Sequence, residues 1–432
     1  MFILYELILW IAFIIYFPIL VLKKKWHKRF FTRLGFISFD LKSRIHPNKN
    51  IWIHAVSVGE VLAVLRLVQQ IKERFPQYQI VLSAVTKTGY QVAAQHIKDP
   101  DVVLYAPLDF SFSVYQYVKA IQPKIYIATE TEIWPNLFRV LHKNQIPIVL
   151  INGRISDKSY HGYKKVSFFI RRILQQVDAF CMQSPLDVER IISLGALKQR
   201  VHMVGNVKFD ELVESSSYTL EQVGFSQGDC LWIAGSTHPG EEEMILDVYK
   251  SIYQDFPQLR LVIAPRHIER IEEVIKIIAA KGFLALKLSQ IRNNRFDQNA
   301  VVVVDLMGKL RALYPLAKIV FIGKTLVPGG GQNMIEPAYF GKPVLVGPYT
   351  ENFRDVMNIF LESAGIIQVQ NAQEFLSKIV YLFRHPEEMK RIGQIAQGVV
   401  QKQQGATAKT LQIITHVLSH SQSPNSPATT TL

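Results

Sequence analysis

Short apolar runs alternate with helical patterns along most of this chain, and that alternation leaves few folds open. In the first half the runs are Ile51–Val56, Gln79–Ala84, Val102–Tyr105, Lys124–Thr129, Ile148–Ile151, Ala179–Met182 and Val201–Val204. In the second half they are Leu231–Ala234, Leu259–Ile263, Ala300–Val304, Ile319–Ile322 and Pro343–Val346. Strands separated by helices predict parallel, doubly wound α/β sheets. With 432 residues the chain is long enough for two such domains, each with its own core, facing a cleft. Residues 208–229 lose the periodicity, are rich in Ser, Asp, Glu and Gly, and read as a linker. The expected organisation is an N-terminal α/β domain over 23–207, the linker, and a C-terminal α/β domain over 230–416 that ends in helices. The Pro/Ser/Thr-rich tail, 417–432, reads as disordered.

Residues 1–22 are almost wholly apolar, broken only by Glu6, and are about as long as a bilayer-spanning helix. The run KKKWHKRFFTR follows at once. A signal peptide carries its charge in front and ends at a small-residue cleavage site, and neither is present. The expectation is a single N-terminal membrane anchor with everything after Lys23 on the cytoplasmic face. Trp26, Phe30 and Phe31 interleave with the basic residues, as a contact with an anionic headgroup surface requires. The formal charge of +14 also favours an anionic partner. Cys181 and Cys230 form neither a metal-site pattern nor a redox pair, so a reducing compartment is expected.

The stretch Ile51–Glu60, IWIHAVSVGE, reads as a buried strand, a tight turn through Ser57 and Gly59, and a helix with Val61, Leu62, Leu65, Val68 and Ile71 on one face. Glu60 then lies in the first helical turn, at the strand's carboxyl end, where open α/β sheets bind ligands. It either complements the helix dipole or serves as a general base. Glu130 and Glu132, in TETEIWPN, close the strand Lys124–Thr129 on the same edge. Asn152-Gly153-Arg154 and Gly205-Asn206-Val207-Lys208 end two further strands.

The second half offers anion-binding chemistry. Strand Leu231–Ala234 runs into Gly235-Ser236-Thr237-His238-Pro239-Gly240-Glu241, a small-residue turn with Ser236 or Thr237 as a possible N-cap. Strand Leu259–Ile263 leads to Pro265-Arg266-His267, a cation and an imidazole at the binding edge. Met307-Gly308-Lys309 follows the strand Ala300–Val304. Gly329, Gly330 and Gly331 are able to form a nest of N–H groups before a helix that starts near Asn333, with Glu336 in its first turn, placed to accept from ribose hydroxyls. The chain lacks both GxxxxGK[ST] and GxGxxG, which argues against a P-loop ATPase and a dinucleotide reader.

Taken together, HAVSVGE at 54–60, TETEIWPN at 129–136, NGRIS at 152–156, GNVKFD at 205–210, GSTHPGE at 235–241, PRH at 265–267 and GGGQNMIEPAYFGKPVLVGPYTENF at 329–353 resemble the 3-deoxy-D-manno-octulosonic acid (Kdo) transferases of lipopolysaccharide biosynthesis. The resemblance covers nearly the whole chain. It implies a two-domain GT-B glycosyltransferase that moves Kdo from CMP-Kdo to a lipid A precursor (lipid IVA), inverts the anomeric centre, uses no metal or cofactor and has no nucleic-acid partner. It implies an enzyme at the bacterial inner membrane. Glu60 matches the family's proton acceptor, and Glu130 and Lys208 match its transition-state stabilisers. Pro265, Arg266, Met307, Gly308, Lys309, Asn333, Met334, Ile335 and Glu336 match its CMP-binding segments, and Ser236 and His238 fall in the donor site. Lys324, Lys309 and Gln332 stand where the family usually has Gly, Glu and His. The alternatives are another membrane-associated GT-B enzyme with a UDP-sugar donor, or a non-catalytic sugar-nucleotide or lipid-binding protein.

Overall fold

The computed structural model describes residues 1–22, 30–210, 218–292, 295–297 and 299–421. The chain forms two compact units, Met1–Glu211 with Gln404–Leu432, and Leu212–Gln403. Part of the basic run expected at a membrane surface (residues 23–29), part of the linker (211–217) and most of the tail (422–432) lie outside the described residues.

The first unit is built on β1 (Asn50–Ala55), β2 (Gln79–Ala84), β3 (Val102–Tyr105), β4 (Pro123–Thr129), β5 (Ile148–Gly153), β6 (Ala179–Met182) and β7 (Val201–Met203). They form one sheet in the order β3-β2-β1-β4-β5-β6-β7, with every pairing parallel. A parallel sheet is covered on both faces, and side chains alternate along each strand. Thus Ile51, Ile53 and Ala55 of β1 join Val61, Val64, Leu67, Val68 and Ile71 of the Val58–Arg74 helix on one face. Trp52 joins Tyr117, Tyr126 and Phe138 on the other. Burying each large apolar side chain contributes about 1.5–3 kcal/mol. The helix phase differs from the sequence expectation at Leu62, which is 41% exposed, whereas Val64 and Leu67 are buried. The Val61–Val64–Val68–Ile71 stripe takes the core, and Leu62 falls outside its arc.

The second unit repeats the plan with β8 (Cys230–Thr237), β9 (Leu259–Pro265), β10 (Leu284–Lys287), β11 (Ala300–Val303), β12 (Ala317–Ile322), β13 (Val344–Val346) and β14 (Ile367–Gln368), in the order β10-β11-β9-β8-β12-β13-β14. Its pairings are also parallel. The sequence reading missed β10 and β14. Both are short edge strands, and neither is a fully buried apolar run.

Two boundaries differ from the sequence expectation. Residues 207–210 form a 3-10 turn whose Val207, Phe209 and Asp210 are buried, so Lys208 sits on a folded turn and not in a linker. The helix Ala406–Ser421 leaves the second unit: Ile414 and Leu418 pack into the core of the first, beside Ile51 and Val64. Asp210 secures this return by accepting the N–H groups of Gly405 (2.7 Å) and Thr407 (2.6 Å) at the helix start.

Among the described residues no helix is long and apolar enough to cross a membrane, so the expected spanning segment lacks structural support. The Phe2–Leu22 helix instead packs on the first unit, with Phe2 against Phe169 (centroids 5.3 Å apart) and Trp10 against Phe110 (4.5 Å). Ile3, Leu4, Leu7, Ile8, Ile11, Ile14 and Ile15 stay exposed.

Asp210→Ala leaves two helix-start N–H groups without their carboxylate. The expected outcome in denaturant unfolding is a loss of about 1–2 kcal/mol, with Asp210→Asn, which keeps an acceptor oxygen, losing less.

Candidate active site

All seven strands of the first sheet run the same way, so their carboxyl ends meet on one edge. Beyond β1 the chain makes a reciprocal helix cap. The Ser57 side chain accepts the Glu60 N–H, while the Glu60 carboxylate accepts the Val56 N–H (2.7 Å) and the Ser57 hydroxyl (2.9 Å). The helix-start role considered for Glu60 is therefore real. Glu60 is only 8% exposed. Burial pushes its carboxyl up to about 7, the Val56 N–H pulls it back, and the charges of Glu130 and Glu132 push it up further. A carboxylate that changes charge near neutral pH, at a sheet's ligand edge, has the property of a general base.

Its neighbours come from β4. Glu130 adopts a left-handed conformation (φ 58°) and its N–H is held by the Ile151 carbonyl of β5 at 2.8 Å. Non-glycine residues rarely occupy that region, so the turn is held by its surroundings. Burial also raises the Glu132 carboxyl above the usual range, and the Trp134 indole N–H donates to it at 3.1 Å. Trp134 in turn meets the ring of His54 edge-on at 5.8 Å. His54 is fully enclosed, hydrogen-bonded to Ser83, and kept neutral by burial, its imidazolium form favoured only below about 3.

Lys208 reaches the same edge through a polar relay. The Asn152 carbonyl accepts from the Gln183 amide, Gln183 accepts from the Asn206 amide, and the Asn206 side chain accepts the Lys208 N–H. Asn152 Oδ1 also accepts the Val207 N–H. The Lys208 ammonium then lies 4.0 Å from Glu130, an electrostatic pairing too long for a hydrogen bond. The structure thus gathers Glu60, Glu130 and Lys208 with Glu132. A cavity of about 860 Å³ lined by Lys49, Lys119 and Lys124 lies at the opposite end of the strands, away from these groups.

In the second unit, Ser236 and Pro265 lie in the last residues of β8 and β9, and His238, Arg266, Met307–Lys309 and Asn333–Glu336 follow the carboxyl ends of β8, β9, β11 and β12. The residue that organises this edge is Glu241, buried at the start of the Glu241–Ile252 helix. Its carboxylate accepts the N–H groups of His238 (2.9 Å), Lys324 (2.7 Å), Thr325 (2.9 Å) and Leu326 (3.0 Å). It binds the turn after β8 to the turn after β12. Neither Ser236 nor Thr237 is the N-cap of this helix; Gly240 is, without a side-chain bond, and the Thr237 hydroxyl donates to Glu242 instead. The two turns touch closely enough to require glycine at 323, where a Cβ would stand 2.3 Å from the Ser236 carbonyl oxygen.

Gly329, Gly330 and Gly331 all have positive φ, and the Gly331 N–H is already bonded to the Lys324 carbonyl. Glu336 is not a bare carboxylate awaiting a ribose. Its Oε1 accepts from Arg311 (2.6 Å) and from the Asn333 amide (3.3 Å). Met334 and Ile335 are buried, while Arg266, Gly308 and Lys309 are exposed and Met307 is 79% exposed. The His238 ring lies 5.7 Å from that of His267, and burial lowers its pKa. Sequence reasoning passed over Glu241 and Arg311. Glu241 stood inside the quoted GSTHPGE, at a helix start. Arg311 carried no local signal, because its partner is 25 residues away.

The family described as "3-Deoxy-D-manno-octulosonic-acid transferase (kdotransferase)" matches residues 28–211. The chain is 31% identical to the 3-deoxy-D-manno-octulosonic acid transferase of Haemophilus influenzae over 90% of this chain and 91% of that protein. It is 30% identical to that of Aquifex aeolicus, over 82% and 94% of the two chains. A "Bifunctional glycosyltransferase/methyltransferase" of Fusobacterium nucleatum is 37% identical over 87% of this chain, which spans 58% of that longer protein. A solved structure of a putative UDP-N-acetylglucosamine 2-epimerase from Listeria monocytogenes shares the fold, with a TM-score of 0.57 at 14% identity over 89% of this chain and all of that one. The chain belongs to the Kdo transferase family and is a glycosyltransferase of lipopolysaccharide biosynthesis.

Proposed function

We propose that the first unit activates the acceptor hydroxyl and that the second unit holds CMP-Kdo. The observation that carries this reading is the buried Glu60 carboxylate, poised near neutral pH beside Glu130 and Glu132. In the proposed step the Glu60 carboxylate takes the proton of a sugar hydroxyl on a phosphorylated lipid A precursor such as lipid IVA. The hydroxyl oxygen forms a bond to the anomeric carbon of Kdo on the face opposite CMP, which inverts that centre. The bond to the CMP phosphate oxygen breaks, and its electron pair leaves on CMP.

Lys208 and Glu130 stabilise charge in that transition state. Arg266, the Met307–Lys309 turn, Asn333–Glu336 and the Ser236–His238 turn receive the donor. Glu336 contributes by fixing the Arg311 guanidinium, a planar donor suited to phosphate or carboxylate. The reaction uses no metal or cofactor. The exposed apolar face of the Phe2–Leu22 helix attaches the enzyme to the anionic inner-membrane surface on its cytoplasmic side.

Glu60→Gln keeps the shape but accepts no proton, so transfer falls at least about a hundredfold, while CMP affinity by calorimetry is unchanged. A near-normal rate returns Glu60 to helix capping alone. In the wild-type enzyme a base whose pKa is raised to about 7 is ionised only above that value, so transfer rises as pH increases through 7. The same raised value means that ionisation costs stability between 4.5 and 7 and that the cost persists above 7. Glu60→Gln therefore stays folded at pH 8. Arg266→Ala and Glu336→Gln weaken CMP binding, and unchanged calorimetric affinity in both moves the nucleotide elsewhere. EDTA leaves transfer intact; inhibition reversed by magnesium would count against the metal-free step. Finally, Ile8→Ser with Ile11→Ser and Ile15→Ser lowers co-sedimentation with anionic vesicles; undiminished binding places the attachment on another surface.

A further inference from the structure

The loop that carries Glu130 and Glu132 is anchored at its start by β4 and at its end by the helix Pro135–Lys143. That helix has no cap of its own. Trp134 occupies the N-cap position without a side-chain bond, and Pro135 has no N–H to give. Its first free N–H groups need acceptors from elsewhere in the chain.

They find one in Asp109, which is buried on the loop after β3. Its carboxylate accepts the N–H groups of Asn136 (3.0 Å) and Leu137 (2.8 Å), and its carbonyl accepts the Asn136 side-chain amide (2.6 Å). Asp109 is itself held by the chain's first helix, because the Tyr5 hydroxyl donates to Asp109 Oδ2 at 3.0 Å.

The next residue completes the tie. Glu6 is the sole charge in the apolar run 1–22. Its carboxylate accepts the Asn136 amide (2.6 Å), the Ser111 hydroxyl (2.8 Å) and the Ser111 N–H (3.2 Å to each oxygen). Arg139 closes the cluster, donating to the Ser111 hydroxyl at 2.8 Å and lying over the Phe2 ring at 4.8 Å. A membrane anchor alone needs no carboxylate and no hydroxyl on one face of its first two turns. Here those groups brace Asp109 and Asn136, the cap and the first turn of the helix that ends the loop of Glu130 and Glu132.

We infer that Tyr5 and Glu6 are positioning residues for Kdo transfer, holding Asp109 and Asn136 so that the 130–134 loop presents Glu130 and Glu132 to Glu60. The N-terminal helix is then part of the acceptor-activating site as well as an attachment. This rests on Glu60 as the base. A carboxylate displaced by an ångström at a reacting centre costs up to about a hundredfold in rate.

The test is transfer kinetics with the full-length chain and a detergent-dispersed, tetra-acylated lipid A disaccharide as acceptor, which removes vesicle binding from the measurement. Glu6→Ala is expected to lower kcat at least about tenfold with the KM for CMP-Kdo unchanged, and Tyr5→Phe to lower it by a smaller factor. Glu6→Gln, which keeps an oxygen for the Asn136 amide, recovers most of the loss. Wild-type kcat in both Glu6→Ala and Tyr5→Phe overturns the inference. So does a loss that Glu6→Gln fails to recover, or one that follows the unfolded fraction measured by circular dichroism at the assay temperature. If Glu6→Ala does not fold, the single-hydroxyl change Tyr5→Phe decides. Glu60→Gln in the same assay separates the two readings: normal transfer there removes the base assignment, while slow transfer there with normal Glu6→Ala and Tyr5→Phe kinetics removes only this inference.

Discussion

In the proposed mechanism the chemistry of the first unit hangs on one carboxylate kept out of water. Removing Glu60 from solvent disfavours its charged form, and the fold returns only part of that cost through the Val56 N–H and the Ser57 hydroxyl. Stronger donation would lower its proton affinity, and weaker donation would raise it. The intermediate arrangement, with Glu130 and Glu132 close by, sets a proton affinity near neutrality. The contacts that cap the helix are therefore also the ones that tune the proposed base.

Buried acids recur as ties between loops that are distant in sequence. Asp101 accepts the Ile80 N–H, Asp187 that of Ile155, Asp109 those of Asn136 and Leu137, and Asp210 those of Gly405 and Thr407. In the second unit Glu241 collects four such groups. Charge-assisted bonds of this kind are stronger than neutral ones and fix direction as well as distance. They explain how turns with left-handed residues such as Glu130, Ser236 and Lys324 keep their shape at the two functional edges.

Most of the architecture was legible in the sequence because it rests on local periodicity. The apolar runs at 51–56, 124–129 and 259–263 became central strands, since strands buried on both faces need nearly continuous apolar sequence. The edge strands Leu284–Lys287 and Ile367–Gln368 were not legible for the converse reason: solvent on one side relaxes that demand. Glu60, Glu130 and Lys208 each lie just beyond a recognisable run, and the roles expected for Glu130 and Lys208 came from the family resemblance. The pairing of Arg311 with Glu336, the fourfold bonding of Glu241 and the docking of Glu6 on Ser111 and Asn136 were not legible, because each joins residues whose proximity only the fold creates. For the same reason Glu6 looked like a blemish in an apolar helix, and the helix Ala406–Ser421 looked like the end of the second domain.

That last helix has a consequence for how the polypeptide matures. Because Ile414 and Leu418 complete the core beside Ile51 and Val64, the first unit is discontinuous in sequence, and the second is an insertion within it. On the ribosome the amino-terminal sheet emerges early but keeps part of one apolar face uncovered until the Ala406–Ser421 helix emerges. The inserted unit, continuous in sequence, has all its strands available before that moment. Synthesis order and completion order are thus reversed, and a nascent chain held with its residues through Gln403 outside the ribosome and the Ala406–Ser421 helix still inside would hold a finished second unit and an unsealed first one.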